Sequence, residues 1–365
     1  MGESRHPRSP RRWLVWLALG VALVVGGVVG GVIVGATQSS GSSVTPGSST
    51  ASHTATACPV TSVAEQVIPS VVTIAASGPN GGGTGSGEVI RSGGYVLTNN
   101  HVISAAAASG GSVKVLFADG QTAPATITGR DPQTDLAVLH VQTSRQLKVI
   151  SLGSSSSVKV GQPVVAIGAP LGLSGTVTSG IVSALDRTVE VPGENDRSAL
   201  LVSAVQTDAS INPGNSGGAL VNCEDQLVGV PTAGATVPNS GGGSIGLGFA
   251  IPVDLAKRIA DEIIATGGVT HAFFGLQTLP IPPAAAKQAG LPEGLFVQAV
   301  TEGGPAAAAG LRPEDVITKI DGEPATSNLQ LEELTLTKKP GDTVSIGYTR
   351  DGQSATATVT LAAQP

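Results

Sequence analysis

The chain has 365 residues, enough for two or three domains, and a net charge of −6. Aromatic residues make up only 2 %, so any core is built from Val, Ile, Leu and Ala. Arg5, Arg8, Arg11 and Arg12 against Glu3 give the first twelve residues a balance of +3, which leaves −9 for the body. An acidic body has no electrostatic footprint for nucleic acid, and that function class is excluded.

Trp13 to Val34 is an uncharged run of about 22 residues, roughly 33 Å as a helix and long enough for a bilayer core. The arginines before it orient residues 1–12 toward the cytoplasm and everything after Val34 outside the plasma membrane. A cleaved signal peptide is the alternative, and it gives the body the same compartment. Residues 35–57, with "TQSSGSSVTPGSSTASHTATA", cannot bury enough apolar surface to fold and read as a tether. His53 there is a solvated residue.

From Val60 to about Pro252 short Val/Ile-rich runs ("SVVTIAAS", "GEVI", "YVLT", "LAVLHV", "PVVAIGA", "LLVSAVQT", "IGLGFAI") alternate with Gly, Asn, Asp and Ser. That is the pattern of an all-β barrel or sandwich. "PVDLAKRIADEIIATGG" changes period: Leu255, Ile259 and Ile263 fall four apart, Asp254 is placed to cap the start and Gly267 to end the helix. The last hundred residues mix strands with a helix at "SNLQLEELTLTK", where Ser327 and Gln330 form a capping box. They read as a small, separate α+β module.

One stretch carries chemistry. "NPGNSGGALV", Asn212 to Val221, sets Ser216 among glycines. A Gly-x-Ser-Gly-Gly run occurs by chance in roughly one chain in ten of this composition, so it decides nothing alone. A serine nucleophile needs a base and donors aimed at the oxyanion, and glycines let the N–H groups of Gly214 and Ser216, with Asn215 between them, turn toward one point. Of the five histidines, His6 and His53 lie in the N-terminal segments, His140 inside an apolar strand, and His271 at the opening of the last module. His101 in "YVLTNNHVI" remains, directly after a strand. Asp135 in "RDPQTDLAVL" is the candidate that orients it, because a carboxylate at the start of a buried strand needs a partner. Asp131 competes but its Asp-Pro context suggests a turn, and Asp208 lies close in sequence to the serine. The chain order His101, Asp135, Ser216 is that of chymotrypsin-type triads.

"LTNNHVI", "DPQTDLAVL", "AIGAPLGLSGTVTSGIVSAL", "QTDASINPGNSGGAL" and "GLGFAIP" resemble the successive signatures of HtrA/DegP-like serine proteases. The resemblance implies a mainly β fold: two six-stranded antiparallel chymotrypsin-like barrels over residues 58–266, then a small α+β PDZ domain over 271–363, with one transmembrane helix at 13–34 in front. It implies an ATP-independent endopeptidase without cofactor or metal, acting on unfolded or specific protein substrates. "FFGL", Phe273, Phe274, Gly275 and Leu276, matches the loop that binds peptide C-termini, and "GLRPEDVITKIDG" a central strand pair. Asn215 stands where digestive proteases carry an acid before the nucleophile. Ser210 stands where trypsin has its specificity acid, so nothing favours Lys or Arg, and the resemblance implies small aliphatic residues with Ile245 and Leu247 lining the pocket. It also implies a homotrimer, although the aromatic residues that hold it are absent between Cys58 and Asn80. The competing reading is a chaperone or adaptor that uses the same surfaces with minor proteolysis.

Cys58 and Cys223 are the only cysteines and lie on the oxidising side under this topology. A bridge between them would pin the chain entry close to Ser216. Two free thiols, or a bridge between subunits, are the alternatives.

Overall fold

The computed structural model describes residues 58–79, 81–169, 175–194, 198–234 and 243–365. The apolar run 13–34 and the tether lie outside these residues. Among the described residues no helix is long and apolar enough to cross a membrane.

The described chain opens with a helix, Val60–Val67, that buries Val63 and Val67. Strands β1 (Val71–Gly78), β2 (Gly81–Arg91), β3 (Tyr95–Thr98), β4 (Ser112–Leu116), β5 (Thr122–Asp131) and β6 (Leu136–Val141) follow. They close into an antiparallel barrel in the order β1-β2-β3-β6-β5-β4, filled by Val72, Ile74, Val89, Val96, Val115 and Leu139. Small aliphatic side chains suffice because a barrel of this size is filled by side chains alone. The Gly-rich start of β2 is a strand despite its composition. A Cβ at Gly83 would stand 2.6 Å from the Val102 carbonyl oxygen, and one at Gly85 3.0 Å from that of Ser216. Glycine lets β2 slide beneath both candidate catalytic segments.

The second sheet comprises β7 (Ser151–Leu152), β8 (Pro163–Gly168), β9 (Thr176–Pro192), β10 (Ser198–Thr207), β11 (Ala219–Val221), β12 (Gln226–Gly234) and β13 (Gly248–Pro252). Six strands close through the β11–β12 pairing into the second antiparallel barrel, and β7 adds to β12 in parallel. The helix Val253–Thr266 then buries Val253, Ala256, Ile259, Ala260 and Ile263, and Gly267 ends it at φ 84°. Asp254 does not cap this helix. Its carboxylate instead accepts from Ser154, Ser155 and the Ser156 amide. Burial alone would raise its pKa, and these hydrogen bonds bring it below the ordinary value.

The last module has a six-stranded sheet with the main order β15 (Leu276–Pro280), β16 (Leu295–Val300), β17 (Val316–Ile320), β19 (Thr343–Arg350), β20 (Gln353–Thr360). The short β18 (Glu323–Pro324) pairs with β17, and β14 (Ala272–Phe273) pairs with β21 (Ala362–Ala363). The helix Asn328–Thr337 covers it and carries the expected capping box at Ser327 and Gln330.

A seam joins the two barrels. Glu88 sits in it at 0 % exposure, in register with Val71 and Leu97, each of which packs into a cluster shared with the second barrel. Among the described residues neither carboxylate oxygen has a hydrogen-bond partner, and burial pushes its pKa well above the ordinary value. The folded state therefore holds this proton more tightly than the unfolded chain. Its contribution is most favourable below the unfolded pKa and is lost as pH rises through the folded one. Glu88→Gln, which cannot ionise, should raise the unfolding midpoint at neutral pH and change nothing near pH 3, where the carboxyl is protonated in both states. Thermal melts across pH check this: a wild-type midpoint for the variant at pH 7 would refute it.

Candidate active site

The short helix Asn100–Ile103, placed by the end of β3, carries His101 with its side chain 41 % exposed. The β5–β6 turn carries Asp135, 3 % exposed and held at φ 56°. Its Oδ2 lies 2.8 Å and its Oδ1 3.1 Å from His101 Nδ1, and Oδ1 also accepts the His101 amide N–H at 3.0 Å. The Asp135 carbonyl accepts from Asn99 Nδ2 at 2.8 Å and from the Asn100 amide at 3.1 Å. The turn and the histidine helix are thus laced together from both chains of atoms. With Nδ1 facing a carboxylate that only accepts, that nitrogen bears the proton, and Nε2 is left to act as a base.

Ser216 sits on the loop before β11. Its hydroxyl donates to the Thr232 carbonyl at 3.1 Å rather than to His101. Thr232 in turn donates its own hydroxyl to Asp135 Oδ2. This one β12 residue therefore touches both the acid and the serine. It escaped the sequence analysis, since a threonine in an apolar strand carries no signal of its own.

The Gly214–Asn215 peptide is fixed at both ends. The Gly214 carbonyl accepts from Ser86 Oγ at 2.7 Å, and the Asn215 N–H donates to the Asn212 carbonyl at 2.9 Å. Asn215 is therefore corrected as an oxyanion donor: its N–H is already used, and its side chain is buried, donating to the Ser210 carbonyl at 3.2 Å. The amides of Gly214, at φ 100°, and of Ser216 make no backbone hydrogen bond among the described residues. Those two remain free to converge on a substrate oxygen.

The rejected candidates have other work. Asp208 Oδ1 accepts the Ile181 amide at 2.7 Å. His140 lies against Tyr95, ring centroids 5.1 Å apart. Asp131 ends a strand rather than sitting in a free turn, and its buried carboxylate meets His271. Ser210 is half-buried, while Ile245 and Leu247 are 46 % and 38 % exposed on the segment leading into β13. The two cysteines form a disulfide with Cα atoms 5.2 Å apart.

"Trypsin-like peptidase domain" describes the family that matches residues 85–230, and "PDZ domain" the one that matches 272–361. Serine protease PepD of Mycobacterium tuberculosis is 46 % identical over 312 residues, 83 % of this chain and 66 % of that protein. Serine protease Do-like HtrA of Lactococcus lactis is 39 % identical over 290 residues, 76 % of this chain and 70 % of that one. The solved structure of HtrA-type protease AlgW with decapeptide is similar at a TM-score of 0.66 and 32 % identity, covering 84 % of this chain and 99 % of that one. This chain belongs to the HtrA-type serine proteases. It spans about two thirds of PepD and, at 40 % identity, 59 % of the periplasmic pH-dependent serine endoprotease DegQ of Escherichia coli.

In the PDZ module of this HtrA-type chain the "FFGL" residues divide. Phe273 pairs with Ala362 in a short ladder, and Phe274 is buried at 4 % exposure in the module's core. Gly275, at φ 73°, turns the chain into β15, where Leu276 is half-buried at the start of a sheet edge. Asn328, at the start of the covering helix, donates Nδ2 to the Thr278 carbonyl at 2.9 Å and accepts from Thr278 Oγ1 at 2.8 Å.

Proposed function

We propose that the chain is a membrane-tethered, ATP-independent serine endopeptidase that cleaves misfolded or regulatory proteins outside the plasma membrane. The observation that carries this reading is the hydrogen-bonded His101–Asp135 pair, tied through Thr232 to Ser216 in one place. In the reaction Ser216 Oγ swings from the Thr232 carbonyl to His101 Nε2, gives up its proton there and attacks the scissile carbonyl. Asp135 holds the imidazole by Nδ1 and stabilises the imidazolium. The Gly214 and Ser216 amides bind the developing oxyanion, and the imidazolium returns the proton to the leaving amine.

The PDZ module captures exposed C-termini by adding a strand to the open edge of β15, with Phe273, Phe274, Gly275 and Leu276 forming the loop at its mouth. Residues 13–34 serve as the anchor, with the protease and PDZ modules extracytoplasmic. The periplasmic relatives support the compartment. A chaperone or adaptor role has less behind it, since binding alone has no use for a serine, histidine and aspartate laced in this manner. Purified full-length chain should cleave casein and take up a fluorophosphonate at Ser216. Intact casein together with an unlabelled serine would refute the reading.

Selectivity follows from Ser210, whose uncharged side chain offers no counter-ion to a basic substrate residue. Peptides with Val or Ala before the scissile bond should be cut at least about tenfold faster than those with Lys or Arg, the scale of one buried ionic contact. Mapping the cuts in an unfolded substrate by mass spectrometry checks this, and a dominant Lys/Arg pattern would sink it.

A further inference from the structure

A second His–Asp pair, this one buried, has its aspartate four residues before Asp135. His271 Nε2 is 2.9 Å from Asp131 Oδ2, and both side chains are 4 % exposed. His271 belongs to the PDZ module, just before β14, whereas Asp131 closes β5 of the protease. Burying such a pair is costly and on average contributes little net stability, so simple adhesion between modules explains it poorly.

Its location explains it better. The Asp131 carboxylate organises the turn that ends in Asp135. Oδ1 accepts the Gln133 amide at 3.2 Å, and Oδ2, the atom that meets His271, also accepts Thr134 Oγ1 at 2.5 Å. Thr134 is 1 % exposed. The turn is gripped twice more from outside: Gln133 Nε2 donates to Gln364 Oε1 at 3.0 Å, and the Gln133 carbonyl accepts the Leu200 amide at 2.9 Å. Gln364 is itself tied to the His271 carbonyl through its amide at 2.9 Å. All of this converges on a residue in left-handed backbone. Asp135 holds φ 56° without being glycine, a conformation that persists only where its surroundings over-determine it.

We propose that His271 is a positioning residue for the reaction: by donating Nε2–H to Asp131 it fixes the Asp131–Asp135 turn, and so makes the aim of Asp135 at His101 depend on docking of the peptide-capture module. A carboxylate only accepts, so the shared proton resides on Nε2. The inference rests on the assignment of His101, Asp135 and Ser216 made above. It gives the PDZ module a hydrogen-bonded route to the triad through His271 and Asp131, beside the Gln364–Gln133 contact. Arg258, whose charge interacts with both Asp131 and Glu262, and Glu262, which accepts the Thr270 amide at 2.8 Å, are charged groups near the pair.

The test uses the full-length protein, a short peptide that fills only the protease cleft, and a fluorophosphonate. His271→Ala should lower kcat and the labelling rate of Ser216 roughly ten- to hundredfold at unchanged KM, the scale of a small misplacement of catalytic groups. His271→Gln, which keeps an N–H donor, should recover most of the rate. Asp131→Asn should cost at least as much as His271→Ala, since Oδ2 also accepts from Thr134, and the double variant no more than Asp131→Asn alone, because the His271–Asp131 interaction is then already gone. A merely structural contact would lower the melting temperature and leave kcat per folded molecule unchanged. That result, or losses that multiply in the double variant, would overturn the proposal. If the alanine variant does not fold, His271→Met against His271→Gln makes the same comparison with the volume kept. Wild-type protein that takes no label at Ser216 would instead condemn the triad assignment itself.

Discussion

Ser216→Ala should abolish peptide-bond hydrolysis while the protein stays folded and still captures peptides at the PDZ module. The serine hydroxyl is half-buried and makes one hydrogen bond, to the Thr232 carbonyl, so its loss costs only about 0.5–1.5 kcal/mol of stability. Its chemical loss is of another order. A triad acts as a unit, and removing its nucleophile lowers kcat by about 10⁶, to the residue supplied by oxyanion donors and binding. Asp135→Asn should be nearly as damaging although it changes one atom, with a fall of about 10⁴. The carboxylate accepts from the His101 amide, from His101 Nδ1 and from Thr232 Oγ1. An amide NH₂ in either position meets a donor, and the imidazole must turn its acceptor nitrogen toward it, which places the proton on Nε2 where the base is needed. Steady-state kinetics on one peptide, with thermal melts to verify folding, separates these effects. Wild-type turnover by Ser216→Ala would end the mechanism.

The sequence disclosed the parts that are local. Ser216 within its glycines, His101 after a strand and Asp135 before one are each visible because a short stretch of chain fixes their surroundings. The cap at Ser327 and the stop at Gly267 were legible for the same reason. What long-range packing decides was not legible. The Gly-rich start of β2 reads as a loop, yet tertiary contact makes it a strand, because only a chain without Cβ atoms fits under Val102 and Ser216. Val60–Val67 reads as the edge of a β region, and becomes a helix because Val63 and Val67 find the second barrel's Val165, Ile167 and Val221. Asp131 and His271, 140 positions apart, carry nothing in sequence to pair them. Asn215 lay inside the right motif, but its N–H is claimed by Asn212, three residues earlier.

Removing the Cys58–Cys223 bridge should be the most destabilising single change outside the triad's chemistry. The bridge closes a loop with a sequence separation of 165. In the chain-entropy model, releasing a loop of that length raises the freedom of the unfolded chain by about 5 kcal/mol at 25 °C. Folded domains are stable by only about 5–15 kcal/mol, so a loss of this size consumes a third or more of the total. The local architecture adds to the effect. Cys58 stands directly before the helix Val60–Val67, and Cys223 two residues beyond β11, the strand that runs on from the Ser216 loop. The helix lies in the cluster formed with Ile167, Ala219 and Val221, so the bridge fastens one end of that contact covalently to the strand beneath the nucleophile. Without it the helix is held by Val63 and Val67 and by few other apolar groups, and eight residues are too few to be helical alone. Cys223→Ser should therefore lower the denaturant midpoint substantially. The helix should lose its amide protection before the barrels do, and Ser216 should react at close to the wild-type rate while the chain remains folded. Hydrogen exchange and denaturant titration of oxidised, reduced and Cys223→Ser protein measure each part. Equal midpoints in all three, or two freely alkylated thiols in protein exported through an oxidising compartment, would show that the bridge does not hold this entry segment in place.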